Sequence, residues 1–236
     1  MIENKFYSVD DFELLCRQLN SKSKKIITFI NPFSYTIISK RQDIICNFDM
    51  LFVDGALLVH LNNIFFEKKI KRVSFDFSSV ANMLFESADK LKFKIALVGG
   101  NFEENKSCLE YLSEKYTNID FSLSRHGFFD TDYEREKYIL ELKDKNVDII
   151  ISGMGTPLQE DFLLETYFKT HATLFITCGG FITQTGISKG EYYWPIINKL
   201  GLRWLQRFIL HSHVRNRLIK VYPSFVINYL LKGVRK

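Results

Sequence analysis

The sequence predicts an α/β protein: a largely parallel, six-stranded sheet covered by helices on both faces, followed by a basic helical appendage at the C-terminal end. Three observations predict it. Short β-branched apolar runs alternate with longer segments of helical periodicity as far as about residue 180, the pattern of repeated strand–helix–strand units. Each of six runs ends in a polar or glycine-rich turn, which is where ligands sit in sheets of this type. Acidic residues cease after Glu191, while nine of the 32 basic residues follow it.

The elements follow in order. Ile26–Ile30 is the first run, and Asn31-Pro32 closes it before a helical stretch at Tyr35–Asn47. Met50–Val53 leads through Asp54-Gly55 into Ala56–Phe65, and a second helical pattern spans Phe77–Lys90. Lys94–Val98 ends at Gly99-Gly100-Asn101, ahead of a helix over Glu103–Tyr116. Ile119–Leu123 reads as a fourth strand, then His126-Gly127 and a helix at Asp132–Asn146. Val147–Ser152 passes through Gly153-Met154-Gly155 to Leu158–His171, and Thr173–Thr177 ends at Gly179-Gly180. One such turn carries little weight, because such turns need glycine in any case. Six with polar partners point to a single site assembled from many loops.

The turn "ISGMGTPLQED" is the most informative. Ile149, Ile150 and Ile151 have the composition of a buried parallel strand. Thr156 as N-cap, Pro157 at the first helical position and Gln159 three residues after the cap make a capping-box pattern. A strand–Gly-x-Gly–helix turn leaves backbone N–H groups beside the positive end of a helix dipole, a place for an anion such as a phosphate.

Of the residues, 46% are hydrophobic and 25% charged, as in ordinary soluble globular proteins. No signal peptide is visible, and no apolar run approaches 18 residues. A chain in the cytoplasm, or attached to a membrane from that side, is expected. Cys16, Cys46, Cys108 and Cys178 are scattered and read as small buried residues, not as a zinc site or disulfides. The division expected is a core at residues 1–193 and an appendage at 194–236, the core surviving a cut before Trp194. The basic, aromatic-bearing appendage seeks phosphates in lipid head groups, a nucleotide or nucleic acid.

Several side chains carry two readings each. Asp54 stands at a strand end as either a helix N-cap or a general base. Gln159 either completes its capping box or reaches a ligand, and Asn31 either bridges its own turn or binds substrate. His126 is a lone histidine near a strand end. Asp130-Thr131-Asp132 resembles a metal-binding D-x-D, but carboxylates at a helix start are favoured by the dipole, and capping is preferred.

Taken together, Asn31-Pro32, "VDGALLV", "ALVGGN", "RHGFF", "GMGTPLQE", "GGFITQTG" and "LGLRWLQRF" followed by spaced arginines resemble the WecG/TagA/CpsF family of bacterial glycosyltransferases (glycosyltransferase family 26). The resemblance covers nearly the whole chain. It implies a Rossmann-like fold and an inverting hexosyltransferase that needs no metal and no other cofactor. The donor it implies is a UDP-sugar, and the acceptor a sugar on a polyprenyl diphosphate. The product belongs to a capsule, a teichoic acid linkage unit or a related surface glycan. Asp54 aligns with the family's general base. Asn31, Gly99, Gly100, His126, Gly153, Gly155, Thr156 and Gln159 fall in its substrate-binding motifs. Arg207, Arg215 and Arg217 match its spaced arginines, divided between the leaving diphosphate and anionic lipid at the inner face of the cell membrane. Nucleic acid is not an expected partner. A nucleotide- or nucleic-acid-binding module without transferase activity is the alternative, and association of the chain with itself is left open. The chain departs from the family at Tyr193-Trp194-Pro195, at Thr183 and at Phe29, differences that bear on the sugars handled more than on the reaction.

Overall fold

A computed structural model describes residues 2–21, 23–188, 209 and 212–234. Five strands form one parallel sheet: β1 (Lys25–Ile30), β2 (Met50–Val53), β3 (Ile95–Gly99), β4 (Ile149–Gly153) and β5 (Leu174–Thr177). Their order is β2-β1-β5-β4-β3, with Ile27 and Ile151 both in register with Ile176 of the central β5. Four residues of β4, Ile149 to Ser152, are buried on both faces, which accounts for its unbroken isoleucine run.

The expected sixth strand at Ile119–Leu123 is not formed. The segment touches β3 through two isolated bridges, Lys94 with Asp120 and Val98 with Arg125. Between them Ser122 N–H bonds back to the Asp120 carboxylate at 2.9 Å, and Leu97 N–H finds Ser124 Oγ at 2.9 Å in place of a backbone carbonyl. An Asp-initiated turn therefore lifts the chain off the ladder. The expected helix at Tyr35–Asn47 is likewise two, α2 (Pro32–Ile38) and α3 (Gln42–Asn47). Bonds from Lys40 N–H to Ile37 O and from Arg41 N–H to Ile38 O tighten the chain between them and end the first.

Helices cover both faces. On one side lie α1 (Val9–Arg17), α5 (Ala81–Leu91), α6 (Phe102–Lys115) and α9 (Phe181–Ser188), packed on Ile27, Phe29, Phe52, Leu97, Ile151 and Ile176. On the other lie α2, α3, α4 (Ala56–Phe65), α7 (Asp132–Asp144) and α8 (Leu158–Lys169), over Ile26, Ile30, Leu51, Val53, Val98, Ile150 and Phe175. Alternate strand residues thus serve opposite cores, as the period of two requires.

Helix α6 approaches α9 unusually closely, and Gly186 is the reason. A Cβ at Gly186 would lie 2.5 Å from the backbone oxygen of Glu104, while Ser107 Oγ donates to Gly186 O at 2.8 Å. Gly186→Ala is expected to destabilise the fold by about 1–3 kcal/mol, the usual cost of overpacking. A chemical-denaturation midpoint equal to wild type would refute this account.

Two further helices, α10 (Ser212–Lys220) and α11 (Tyr222–Val234), end the described chain. Phe225 and Tyr229 are each only 1% exposed, with ring centroids 5.5 and 5.3 Å from Tyr35. Lys232 Nζ reaches the carboxylate of Glu3, itself buried, at 2.6 and 2.9 Å. The end of the expected appendage is therefore built into the α2/α4 face of the core, which argues against survival of a chain cut before Trp194.

Candidate active site

The carboxyl ends of β1, β2, β4 and β5 open into one cleft of about 290 Å³. Helices α2, α4, α8 and α9 all begin there, so four helix N-termini turn their positive ends toward it. Asn31, Asp54, Gly153, Gly155, Thr156 and Gln159 line the cleft together. Joining them are Arg72, Ser74 and Asp76 from the loop after α4, and Gly179, Gly180 and Gln184 beyond β5.

Asp54 does not cap its helix. Gly55 takes the N-cap position of α4, with no side-chain bond. The carboxylate of Asp54 accepts instead from Arg72, Oδ1 lying 3.0 Å from Nε and 2.7 Å from Nη2. Among the described residues Oδ2 has no hydrogen-bond partner. Arg72 is placed by Val73, whose N–H pairs with Val53 O at 2.9 Å, so the loop runs on beside β2. Val73 is buried and does not line the cleft, while Arg72, Ser74 and Asp76 line it together with the buried Phe75. Sequence reasoning passed over this segment. Its period-two alternation, polar at 72, 74 and 76 and apolar at 73 and 75, is the signal that would have found it.

The Gly-x-Gly turn differs from its expected capping box. Helix α8 starts at Leu158 with Pro157 as N-cap and no side-chain cap. Buried Glu160 draws the neighbouring side chains inward: Gln159 Nε2 donates to Glu160 Oε1 at 2.8 Å and to Thr156 Oγ1 at 3.2 Å. The turn's backbone amides are correspondingly unused. Among the described residues no hydrogen bond engages the N–H of Met154, Gly155, Thr156, Gly179 or Gly180. Gly155 and Gly179, with φ of 80° and 54°, hold the left-handed conformation that such an open turn needs. Two adjacent turns of unpaired amides at helix N-termini form a cradle for an anion.

Asn31 is spent largely on its own turn, its Oδ1 accepting from Phe33 N–H at 2.9 Å and Ser34 N–H at 3.1 Å. Gly99, Gly100 and His126 do not line the cleft; Gly99 ends β3, the edge strand, and the other two follow it. Gly99 lets β3 approach β4, since a Cβ there would meet the Gly153 backbone at 2.7 Å. The Gly100 carbonyl accepts from Gly127 N–H at 2.9 Å. His126 Nδ1 accepts from Phe128 N–H at 3.3 Å, within its own turn. Arg215 stands on α10 and is not among the cleft residues. Arg207 and the side chain of Arg217 lie outside the described residues.

Thr131 caps α7 by accepting from Glu134 N–H at 3.1 Å, which agrees with reading Asp130-Thr131-Asp132 as a helix start. Among the described residues no group of three or more His, Cys, Asp and Glu gathers in a metal-binding arrangement.

A parallel α/β sheet with unpaired turn amides on one wall of its cleft and an ion-paired carboxylate on another is an arrangement suited to group transfer from a phosphate-bearing donor. The model of the glycosyl transferase WecG/TagA/CpsF family matches residues 7–236. The chain belongs to that family and is a glycosyltransferase. It is 37% identical, over 92% of its length and 90% of the relative's, to the UDP-Gal:alpha-D-GlcNAc-diphosphoundecaprenol beta-1,4-galactosyltransferase of Shigella boydii. It is also 29% identical to the N-acetylglucosaminyldiphosphoundecaprenol N-acetyl-beta-D-mannosaminyltransferase of Staphylococcus aureus, over 61% of this chain and 54% of that one.

Proposed function

We propose that this glycosyltransferase moves a hexose, galactose foremost, from UDP to a sugar hydroxyl on a polyprenyl diphosphate, with inversion at the anomeric carbon. The observation that carries the reading is Asp54, its Oδ2 without a partner among the described residues, in the same cleft as the amides of residues 153–156 and 179–180. The acceptor oxygen attacks C1 of the donor as the bond from C1 to the diphosphate breaks. The hydroxyl proton passes to Asp54, and the electron pair leaves with UDP. Arg72 holds the base in place, and its charge borders the cleft where the diphosphate gains negative charge. The α bond of a UDP-hexose and the β linkage named for the Shigella relative fit this single displacement.

The acceptor is a membrane lipid, so the enzyme works at the cytoplasmic membrane face. No helix among the described residues is long and apolar enough to cross a bilayer. Exposed Ile219, Ile227 and Leu231 beside Lys220 give α10 and α11 a surface suited to anionic lipid. The reaction as proposed needs no divalent metal, because arginine and helix-end amides supply the positive charge.

The test is a panel of UDP-hexoses with an N-acetylglucosaminyl-diphospho-polyprenol acceptor, the product read by mass. The expected result is a gain of one hexose, undiminished by EDTA. Loss on chelation with recovery on added Mg²⁺ or Mn²⁺ would return Asp130 and Asp132 to consideration. No transfer from any UDP-hexose would overturn the reading.

A further inference from the structure

Beneath the Gly153–Thr156 turn lies a side-chain cluster that the displacement itself does not use. Glu160 is fully buried. Its Oε1 accepts from Gln159 Nε2 at 2.8 Å, Thr28 Oγ1 at 3.0 Å and Thr156 Oγ1 at 3.1 Å. Thr28 in turn meets Thr177 Oγ1 at 2.9 Å, and Thr177 accepts from Phe29 N–H at 3.0 Å. The network ties α8 to β1 and β5. Three buried side-chain atoms among the described residues lack a partner, Ser152 Oγ, Gln159 Oε1 and Glu160 Oε2, and all belong to residues flanking this one turn.

Every donor falls on Oε1 of Glu160 and none on Oε2. Burial raises the Glu160 pKa above the ordinary carboxyl value. Ionised, or carrying a proton on Oε2, the carboxyl group presents Oε1 as an acceptor. An acceptor at that point dictates how the Gln159 amide is turned: the NH₂ must face Glu160 and Thr156, whose own hydroxyl hydrogen already goes to Glu160. The amide oxygen is left on the other side, and Gln159 lines the cleft. A buried carbonyl oxygen with no donor calls for an explanation, and a ligand hydroxyl supplies one.

We propose that Glu160 is a positioning residue that turns the Gln159 carbonyl toward the cleft to accept a hydroxyl of the transferred sugar, so that the pair selects the donor. This rests on the transferase reading above. Glu160 touches no substrate; it acts by fixing which end of the amide the sugar meets.

The test compares kcat/KM for the UDP-hexose that the wild type uses with its monodeoxy analogues. Wild type is expected to reject one analogue by about tenfold or more, the worth of a hydrogen bond the site is built to make. Glu160→Leu is expected to lose that discrimination, and Glu160→Gln, which keeps a carbonyl in place, to restore it. Gln159→Leu should lose it too, and decides the matter should Glu160→Leu not fold. Discrimination retained by Gln159→Leu, or by folded Glu160→Leu, would overturn the proposal. So would a Glu160→Gln variant as indiscriminate as Glu160→Leu, since a charge would then be what matters. Wild-type turnover with no preference at any hydroxyl defeats this proposal alone, whereas no turnover with any UDP-hexose defeats the transferase reading beneath it.

Discussion

Asp54→Asn is expected to lower sugar transfer by about 10²–10⁴-fold, the range that a positioned general base contributes. The substitution preserves shape and keeps an oxygen to accept from Arg72 Nε and Nη2, now 3.0 and 2.7 Å from Oδ1. What it removes is the proton acceptor at Oδ2. Affinity for UDP should change little, because the amide cradle at 153–156 and 179–180 is on the β4 and β5 side of the cleft, while Asp54 follows β2. Single-turnover rates together with calorimetric titration of UDP separate the two quantities. A variant that keeps more than about a tenth of the rate would place the base elsewhere. A variant that also loses UDP would make Asp54 a binding residue.

Tyr229→Ala is expected to cost about 3–5 kcal/mol, the usual loss for deleting a buried aromatic. In a chain of this size that corresponds to a fall in Tm of roughly 6–20 °C. Tyr229 is 1% exposed, lies 5.3 Å from the Tyr35 ring and 5.7 Å from that of Phe66, and sets its hydroxyl 3.4 Å from Asn62. Ending the chain at residue 193 should cost more still. It removes Phe225 along with Tyr229, and it takes Lys232 from Glu3, whose side chain is 3% exposed. A buried carboxylate left without its cation is costly in its own right. Losses of this size compare with the whole stability of an ordinary domain, about 5–15 kcal/mol. The shortened chain is expected to aggregate or to melt far below the full one. A cooperative melt at the wild-type temperature would instead make residues 194–236 an independent appendage.

Much of the architecture was legible in the residues because buried parallel strands and capped helices carry local signals. The isoleucines of β4, the Asn31-Pro32 start of α2 and the bounds of α4 at Ala56 and Phe65 each follow from chemistry within a few positions. So do the places of Asp54 and the Gly153–Gly155 turn at the rim of the cleft, since a strand end fixes where they stand. Local chemistry fails where a distant group outbids it. Thr156 and Gln159 have the spacing of a capping box, yet their side chains turn to buried Glu160, whose other partner, Thr28, lies 132 residues away in sequence. Ile119–Leu123 has the composition of a strand, yet Asp120 and Ser124 break its ladder with β3.

By itself, then, the sequence determined the class of fold, the turns at the strand ends and some of the residues that face the cleft, all consequences of neighbours in the chain. Only the tertiary structure decided which of those turns share a site. Every strand carries a similar apolar run, so strand order is not written in any one of them. The order β2-β1-β5-β4-β3 brings the turns after β1, β2, β4 and β5 together. It puts Gly99, Gly100 and His126 three strands from β1, about 14 Å at the usual spacing. Tertiary structure also set Arg72 against Asp54, 18 residues apart in the chain, because only the folded loop lies alongside β2. The charge, the base and the amide cradle meet through packing, whose energy is summed over the whole core and cannot be read from any single segment.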